Sequence, residues 1–125
     1  MSENYKSKVT RTSREISCKE KAMIKDFTEC IQLVDALSQG DVVIDLDLYA
    51  DIEVHNEKSD NKDYIKRVLV DKDGTKYVTG SDTFMRTMDD IMEEMHEAGE
   101  EWSLKVVERD SNNYKGKKFI TCVIV

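Results

Sequence analysis

Proline is absent from this 125-residue chain and glycine is scarce, at five residues. A collagen-like, proline-rich or low-complexity polymer is thereby excluded. Cysteine is limited to Cys18, Cys30 and Cys122, an odd number set far apart, with two histidines beside them and no CxxC pair. That pattern is neither a disulfide framework nor a zinc site, and it suits a reducing compartment. No apolar run approaches the roughly 18 residues a membrane span needs. The segment from Met1 to Arg14 is polar and lacks the apolar stretch of a secretory signal. A cytoplasmic protein without membrane contact is expected. Catalytic equipment is equally thin. His55 and His96 have no evident nucleophile beside them, and there is no P-loop, GxGxxG or HExxH. The Asp45/Asp47 and Asp89/Asp90 pairs read as solvated faces rather than metal ligands. The chain is therefore expected not to be an enzyme, and to use no cofactor, metal or small-molecule substrate.

What is present in quantity is charge, and it is segregated. The net charge is −7, yet residues 1–25 carry +4, residues 26–55 carry −8, residues 56–80 carry +1, residues 81–101 carry −7 and residues 102–125 carry +3. A basic face focused in this way can attract a polyanion despite a negative total. The competing explanation is that the acidic blocks are solvated faces that keep the protein soluble.

The length is that of one domain. Residues 1–14 show no hydrophobic period and read as a mobile basic arm. Ser17 with Glu20 fits a capping box and predicts a short helix over 17–25, and residues 28–38 predict a second, ended by Gly40. From Asp41 to His55 every even position from Val42 to Val54 is apolar. This predicts one long strand with a single buried face, too long to stay flat. Residues 64–79 read as a hairpin turning at Asp71–Gly74. Ser81 caps a helix whose stripe is Phe84, Met88, Ile91, Met92 and Met95, with Asp89, Asp90, Glu93, Glu94 and Glu97 on the other side. Trp102–Glu108 and Lys118–Val125 are the last strands, the final one apolar on both sides and so expected to be central. The order predicts a mainly β protein with helices. It is that of an OB-fold, a five-stranded Greek-key barrel with a helix between strands three and four, over residues 41–125. Residues 1–40 form a helical N-terminal extension with its basic arm. An open α+β sheet with the helix on one face is the alternative.

An OB-fold binds single strands across strands two and three and the two flanking loops. Mapped onto this chain, the first loop offers Lys58 and Lys62. The hairpin offers Tyr64, Lys66, Arg67, Lys76 and Tyr77. The last loop offers Arg109, Tyr114, Lys115, Lys117 and Lys118. Cations interleaved with aromatic rings are what single-strand binding needs, the cations tracking phosphates and the rings stacking on bases. Tyr64 and Tyr77 can equally be cross-strand packing partners. Tyr114, in a polar basic loop, is the strongest stacking candidate. The acidic helix would form the back of the barrel and repel DNA there.

The segments VLVDKDGTKYVTGSDTFMRTMDDIMEEM and SNNYKGKKFITCVIV resemble the small single-stranded DNA-binding proteins of tailed phages of Gram-positive bacteria. The basic opening TSREISCKEKAMIKD is similar to the start of that family. The resemblance runs from about Arg11 to Val125. It implies an OB-fold, no enzyme activity, coating of replication or recombination intermediates in the host cytoplasm, and roles for Tyr77, Tyr114, Lys115, Lys117 and Phe119. Two features depart from cellular single-strand binders: no acidic C-terminal tail, and an acidic outer face at Asp45, Asp47, Asp51 and Glu53. The expected partner is single-stranded DNA. A homo-oligomer is also an option, since short helices ahead of a barrel often pack on a neighbour. The competing function is an acidic interaction protein, a DNA mimic or an inhibitor of a host defence nuclease.

Overall fold

The computed structural model describes residues 5–58, 62–95, 101–110 and 118–125. Strand β1 (Tyr5–Thr12) leads to helix α1 (Cys18–Ile24), a 3₁₀ turn (Phe27–Glu29), the short β2 (Ile31–Gln32) and α2 (Leu33–Ser38). Then come β3 (Val42–Ile44), β4 (Leu46–Asn56), β5 (Asp63–Asp71), β6 (Lys76–Thr79), α3 (Asp82–Met95), β7 (Leu104–Asp110) and β8 (Lys118–Ile124). The strands form a five-stranded sheet, β1-β4-β5-β6-β2, and a three-stranded sheet, β3-β7-β8. The protein is thus mainly β with helices, and α3 lies between the third strand of the meander and β7, as expected.

The long strand predicted over 41–55 is broken at Asp45. The Asp45 N–H donates to the Asp71 carboxylate at 3.0 Å and its carbonyl accepts from the Lys72 N–H at 2.9 Å, so both backbone groups leave the ladder for the tip of the β5–β6 hairpin. The Asp45 carboxylate also accepts from the Ser103 hydroxyl. A register shift between Leu46 and Leu48 adds a bulge, which bends a strand and raises its twist. The chain therefore passes from one sheet to the other at this point: β3 pairs with β7, and β4 pairs with β1 and β5.

The single buried face is also corrected. Leu48, Tyr49, Ala50, Asp51 and Ile52 are all buried, because the five-stranded sheet is covered on both sides. Leu48, Ala50, Ile52 and Val54 join Val68, Val78 and Ile24 of α1 in one cluster, with Val9, Ile16 and Phe27 against it. Tyr49 and Leu69 point the other way, into a cluster with Phe84 and Met88 of α3 and Ile44, Leu104, Val106, Ile120 and Cys122 of the smaller sheet. Each such side chain, fully buried, stabilises the fold by about 1.5–3 kcal/mol.

Four further expectations are corrected. Residues 5–12, read as part of a mobile arm, form β1, an antiparallel neighbour of β4. The Ser13 N–H to Tyr49 carbonyl bond and the Tyr49 N–H to Ser13 hydroxyl bond, both 2.9 Å, fasten its end. The helix expected over 28–38 is shorter, because Asp26 caps the 3₁₀ turn through Thr28 and residues 31–32 pair in parallel with Tyr77 and Val78. The last strand, expected to be central, is the edge of its sheet, paired with β7, and its apolar character comes from α3 packing on it. The sheets do not close into a five-stranded Greek-key barrel. The edge of β6 is occupied by β2, and among the described residues β8 has no ladder partner besides β7.

Local signals hold elsewhere. The capping box of Ser17 and Glu20 opens α1. The Ser81 hydroxyl accepts from the Phe84 N–H at 3.2 Å at the start of α3. Gly74, at φ +93°, supplies the left-handed conformation at the end of the hairpin turn.

Between the two layers lies a buried ion cluster. Arg67 on β5 is 2% exposed and donates to both carboxylate oxygens of Asp51, Nε at 2.6 Å and Nη2 at 2.9 Å. Its Nη1 lies 3.0 Å from the Asp89 carboxylate and donates to the Met85 carbonyl at 3.2 Å, both on α3. The guanidinium stacks 4.9 Å from the centroid of the Tyr49 ring. Burial alone would lower its pKa, but the hydrogen bonds and charge of Asp51, then of Asp89, raise it above the usual value. It stays charged.

Removing one partner from a buried pair leaves the other uncompensated, at a cost of about 3–5 kcal/mol. Arg67→Ala is expected to lower the unfolding free energy by about that much in urea titration. Asp89→Asn should cost about 1 kcal/mol, because Asp89 is partly exposed and solvent screens it. A loss of less than about 1 kcal/mol for Arg67→Ala would show that the cluster does not hold α3 to the sheet.

Candidate nucleic-acid interface

The alternation of β5 and β6 splits the expected binding hairpin between two faces. Arg67 pairs with Thr79 and Leu69 with Tyr77, facing the interior, while Val68 pairs with Val78 and Val70 with Lys76 on the opposite face. Tyr64, Lys66 and Lys76 therefore share the outer face, whereas Arg67 and Tyr77 do not. Arg67, expected to contact DNA, is corrected to a structural residue: it is buried, and its donors are spent on Asp51, Asp89 and Met85.

Tyr77 is half-buried at a groove between α2 and β3, lined also by Ile31, Ala36, Val42 and Val43. Burial raises its phenol pKa, and the charges of Asp71 and Asp73 raise it further. An anionic strand reaching Tyr77 would pass those two carboxylates.

On the outer face Tyr64 and Lys66 are half-buried. The Lys66 Nζ lies 5.9 Å from the Tyr64 ring centroid and 5.9 Å from that of Phe27. Lys76 is half-buried near Asp26, whose pKa is lowered first by the Thr28 hydroxyl and backbone N–H and then by the Lys76 charge. Phe27 and Tyr5 escaped the sequence reading. Tyr5-Lys6-Ser7-Lys8-Val9 alternates with period two, the signal that would have placed β1 in the sheet.

Lys58 and Lys62 are exposed beside the segment joining β4 to β5. Lys62 is 3.3 Å from the Glu57 carboxylate, so a phosphate must compete for it. His55 is held between two carboxylates, Nδ1 at 2.7 Å from Asp63 and Nε2 at 2.6 Å from Glu57. Both ring nitrogens must donate to satisfy this geometry, which requires the imidazolium. The hydrogen bond to Asp63 and then that to Glu57 raise the His55 pKa above 6.5.

At the far end of the smaller sheet, Arg109 and Phe119 are register partners, as are Asp110 and Lys118. Arg109 and Lys118 are exposed, and Lys118 lies 3.5 Å from Glu108. Tyr114, Lys115 and Lys117 lie outside the described residues. Cys122 is buried among apolar neighbours, which push its thiol up to about 11, although the Arg67 charge opposes this. It is a packed small side chain, as expected.

Three carboxylates of the acidic runs, Asp47, Asp51 and Asp89, are answered by arginines. Arg14 contacts Asp47 at 3.1 Å and Glu20 at 3.5 Å, and Arg11 contacts Asp89 at 3.5 Å and Asp51 at 4.0 Å. Asp89, read as part of a solvated helix back, instead faces Arg67 and Arg11.

A model of the phage single-stranded DNA-binding protein family matches residues 4–125. No curated protein and no solved structure matches the chain.

Because the folded pKa of His55 is raised, its contribution to stability is full below pH 6.5 and is lost as pH rises through the folded value. An NMR titration is expected to show the His55 ring titrating above 6.5, and His55→Asn should flatten stability against pH in that window. An ordinary titration midpoint would show that the carboxylate clamp does not form.

Proposed function

The chain belongs to the phage single-stranded DNA-binding protein family, and from that premise we propose that it coats single-stranded DNA, tolerant of sequence, during phage replication or recombination in the host bacterial cytoplasm. Members of the family bind DNA and are not enzymes. The family match over nearly the whole chain carries the reading; the separation of cations from buried ion pairs supports it. Lys58, Lys62, Lys66, Lys76, Arg109, Lys115, Lys117 and Lys118 neutralise phosphates, and Tyr64, Tyr77 and Tyr114 stack on bases, with Phe119 beside Arg109. Residues 41–125 form the binding unit, an OB-like path left open, and residues 1–40 the extension packed on it. Several copies along one strand are part of the same proposal.

The competing picture of an acidic DNA mimic needs a free acidic surface. Asp47, Asp51 and Asp89 are engaged by Arg14, Arg67 and Arg11, which weakens that picture.

Titration of a fluorescent poly-dT oligonucleotide against a matched duplex tests the proposal. Binding should favour the single strand and weaken with salt at a log–log slope of about −0.7 per phosphate neutralised. Tyr114→Ala should weaken binding about tenfold, and adding Lys115→Ala should flatten the salt slope by about 0.7. Asp90→Asn with Glu94→Gln, both exposed on α3, should leave single-strand binding unchanged and strengthen only loose binding. No binding at micromolar protein in low salt would overturn the proposal and return the acidic faces to consideration.

A further inference from the structure

The outer face of the five-stranded sheet is covered by α1 and the 3₁₀ turn over Leu48, Ala50 and Val68. Beyond that cover, two rings from separate parts of the sequence, Phe27 and Tyr64, flank the Lys66 cation, and a third ring, Tyr5, lies on the same face of the sheet. Ser7, Val54 and Tyr64 lie abreast on β1, β4 and β5, and Tyr5 follows two residues along the same face of β1. Tyr5 is 44% exposed, and Tyr64 and Phe27 are half-buried. Burial raises the Tyr5 phenol pKa and Tyr64 raises it further. The Lys66 ammonium sits 5.9 Å from the ring centroids of both Phe27 and Tyr64.

We propose that Tyr5 and Phe27, both from the N-terminal extension, join Tyr64 and Lys66 in one subsite that takes the unstacked bases and adjoining phosphate of a single DNA strand. The inference rests on the single-strand-binding reading above and adds to it residues outside the OB-like unit. The chemistry is that of a stacking platform. Rings with an accessible face accept any base, and a cation beside them meets the phosphate that links two stacked bases. Lys66 suits that part, because among the described residues the contacts recorded for its ammonium are the Phe27 and Tyr64 rings and no carboxylate. A duplex keeps its bases stacked in pairs and offers the rings nothing, so the subsite favours a single strand. The extension would then both complete the sheet and supply part of its binding surface.

The test uses the full chain and the poly-dT titration. Tyr5→Leu and Phe27→Leu, which keep apolar bulk, should each weaken single-strand binding about tenfold with unchanged far-UV circular dichroism, and Tyr5→Phe should restore it. Lys66→Gln should flatten the salt slope by about 0.7. If the wild-type protein binds and the folded leucine variants bind equally well, the subsite is refuted while the single-strand reading stands. If the wild-type protein does not bind, the reading itself falls, and this inference with it. If a leucine variant fails to fold, photocrosslinking of the wild-type protein to 5-iodouracil DNA decides. Crosslinks at Tyr5 or Phe27 support the subsite, and crosslinks confined to other residues overturn it.

Discussion

The guanidinium of Arg67 is held by carboxylates from two different layers: Asp51 on the neighbouring strand and Asp89 on the helix. A charge only 2% exposed is tolerable only when every donor has a partner, because its desolvation costs several kcal/mol. Here Asp51 accepts in bidentate fashion, Met85 supplies a carbonyl and Tyr49 a ring face. The consequence is geometric. The register of β5 against β4 and the rotation of α3 about its axis are both set by where Arg67 must find its acceptors. A one-residue slip would turn Arg67 to the outer face and bury Lys66 in its place. The layering of helix, five-stranded sheet and three-stranded sheet depends on that single side chain more than on any one apolar contact.

The same economy governs charge across the molecule. A basic opening, an acidic first half and an acidic helix look in sequence like separate surfaces for separate partners. Folding brings the first onto the other two. β1 lies along β4, so Arg11 reaches Asp51 and Asp89, and Arg14 beyond it reaches Asp47. Those cations are committed to the protein's own carboxylates. Among the described residues, Lys66 and Lys76 on the outer face of the sheet take no part in those pairs. A negative total does not by itself exclude a polyanion, because cations focused on one face can still attract it.

Local signals were legible where the governing interactions were local. Ser17 and Glu20 form their capping box, Ser81 caps α3, and Asp71–Gly74 turns the hairpin, since each depends on residues within a few positions. The apolar stripe of Phe84 and Met88 was readable because helical period survives any packing partner. The candidate site was legible only in part. Tyr64, Lys66 and Lys76 fall on one face as a hairpin requires, but Tyr77 and Arg67 fall on the other, and composition alone does not say which parity faces outward. The ionic role of Arg67 was hidden, because an arginine in a strand looks the same whether it meets a phosphate or a buried aspartate.

The amino-acid sequence by itself determined the family, the mainly β character, the order of most strands and α3 between β6 and β7, because these follow from periodicity, caps and short motifs. Tertiary structure alone decided the rest. It broke the long strand at Asp45, since the competing acceptor on Asp71 lies 26 residues away. It turned the basic arm into a sheet strand, since β4 offered an unpaired edge. It left the barrel open, since β2 took the edge of β6. It also brought Phe27 and Tyr64 to Lys66 and set Tyr5 on the same face of the sheet, a proximity between distant segments that no local pattern encodes.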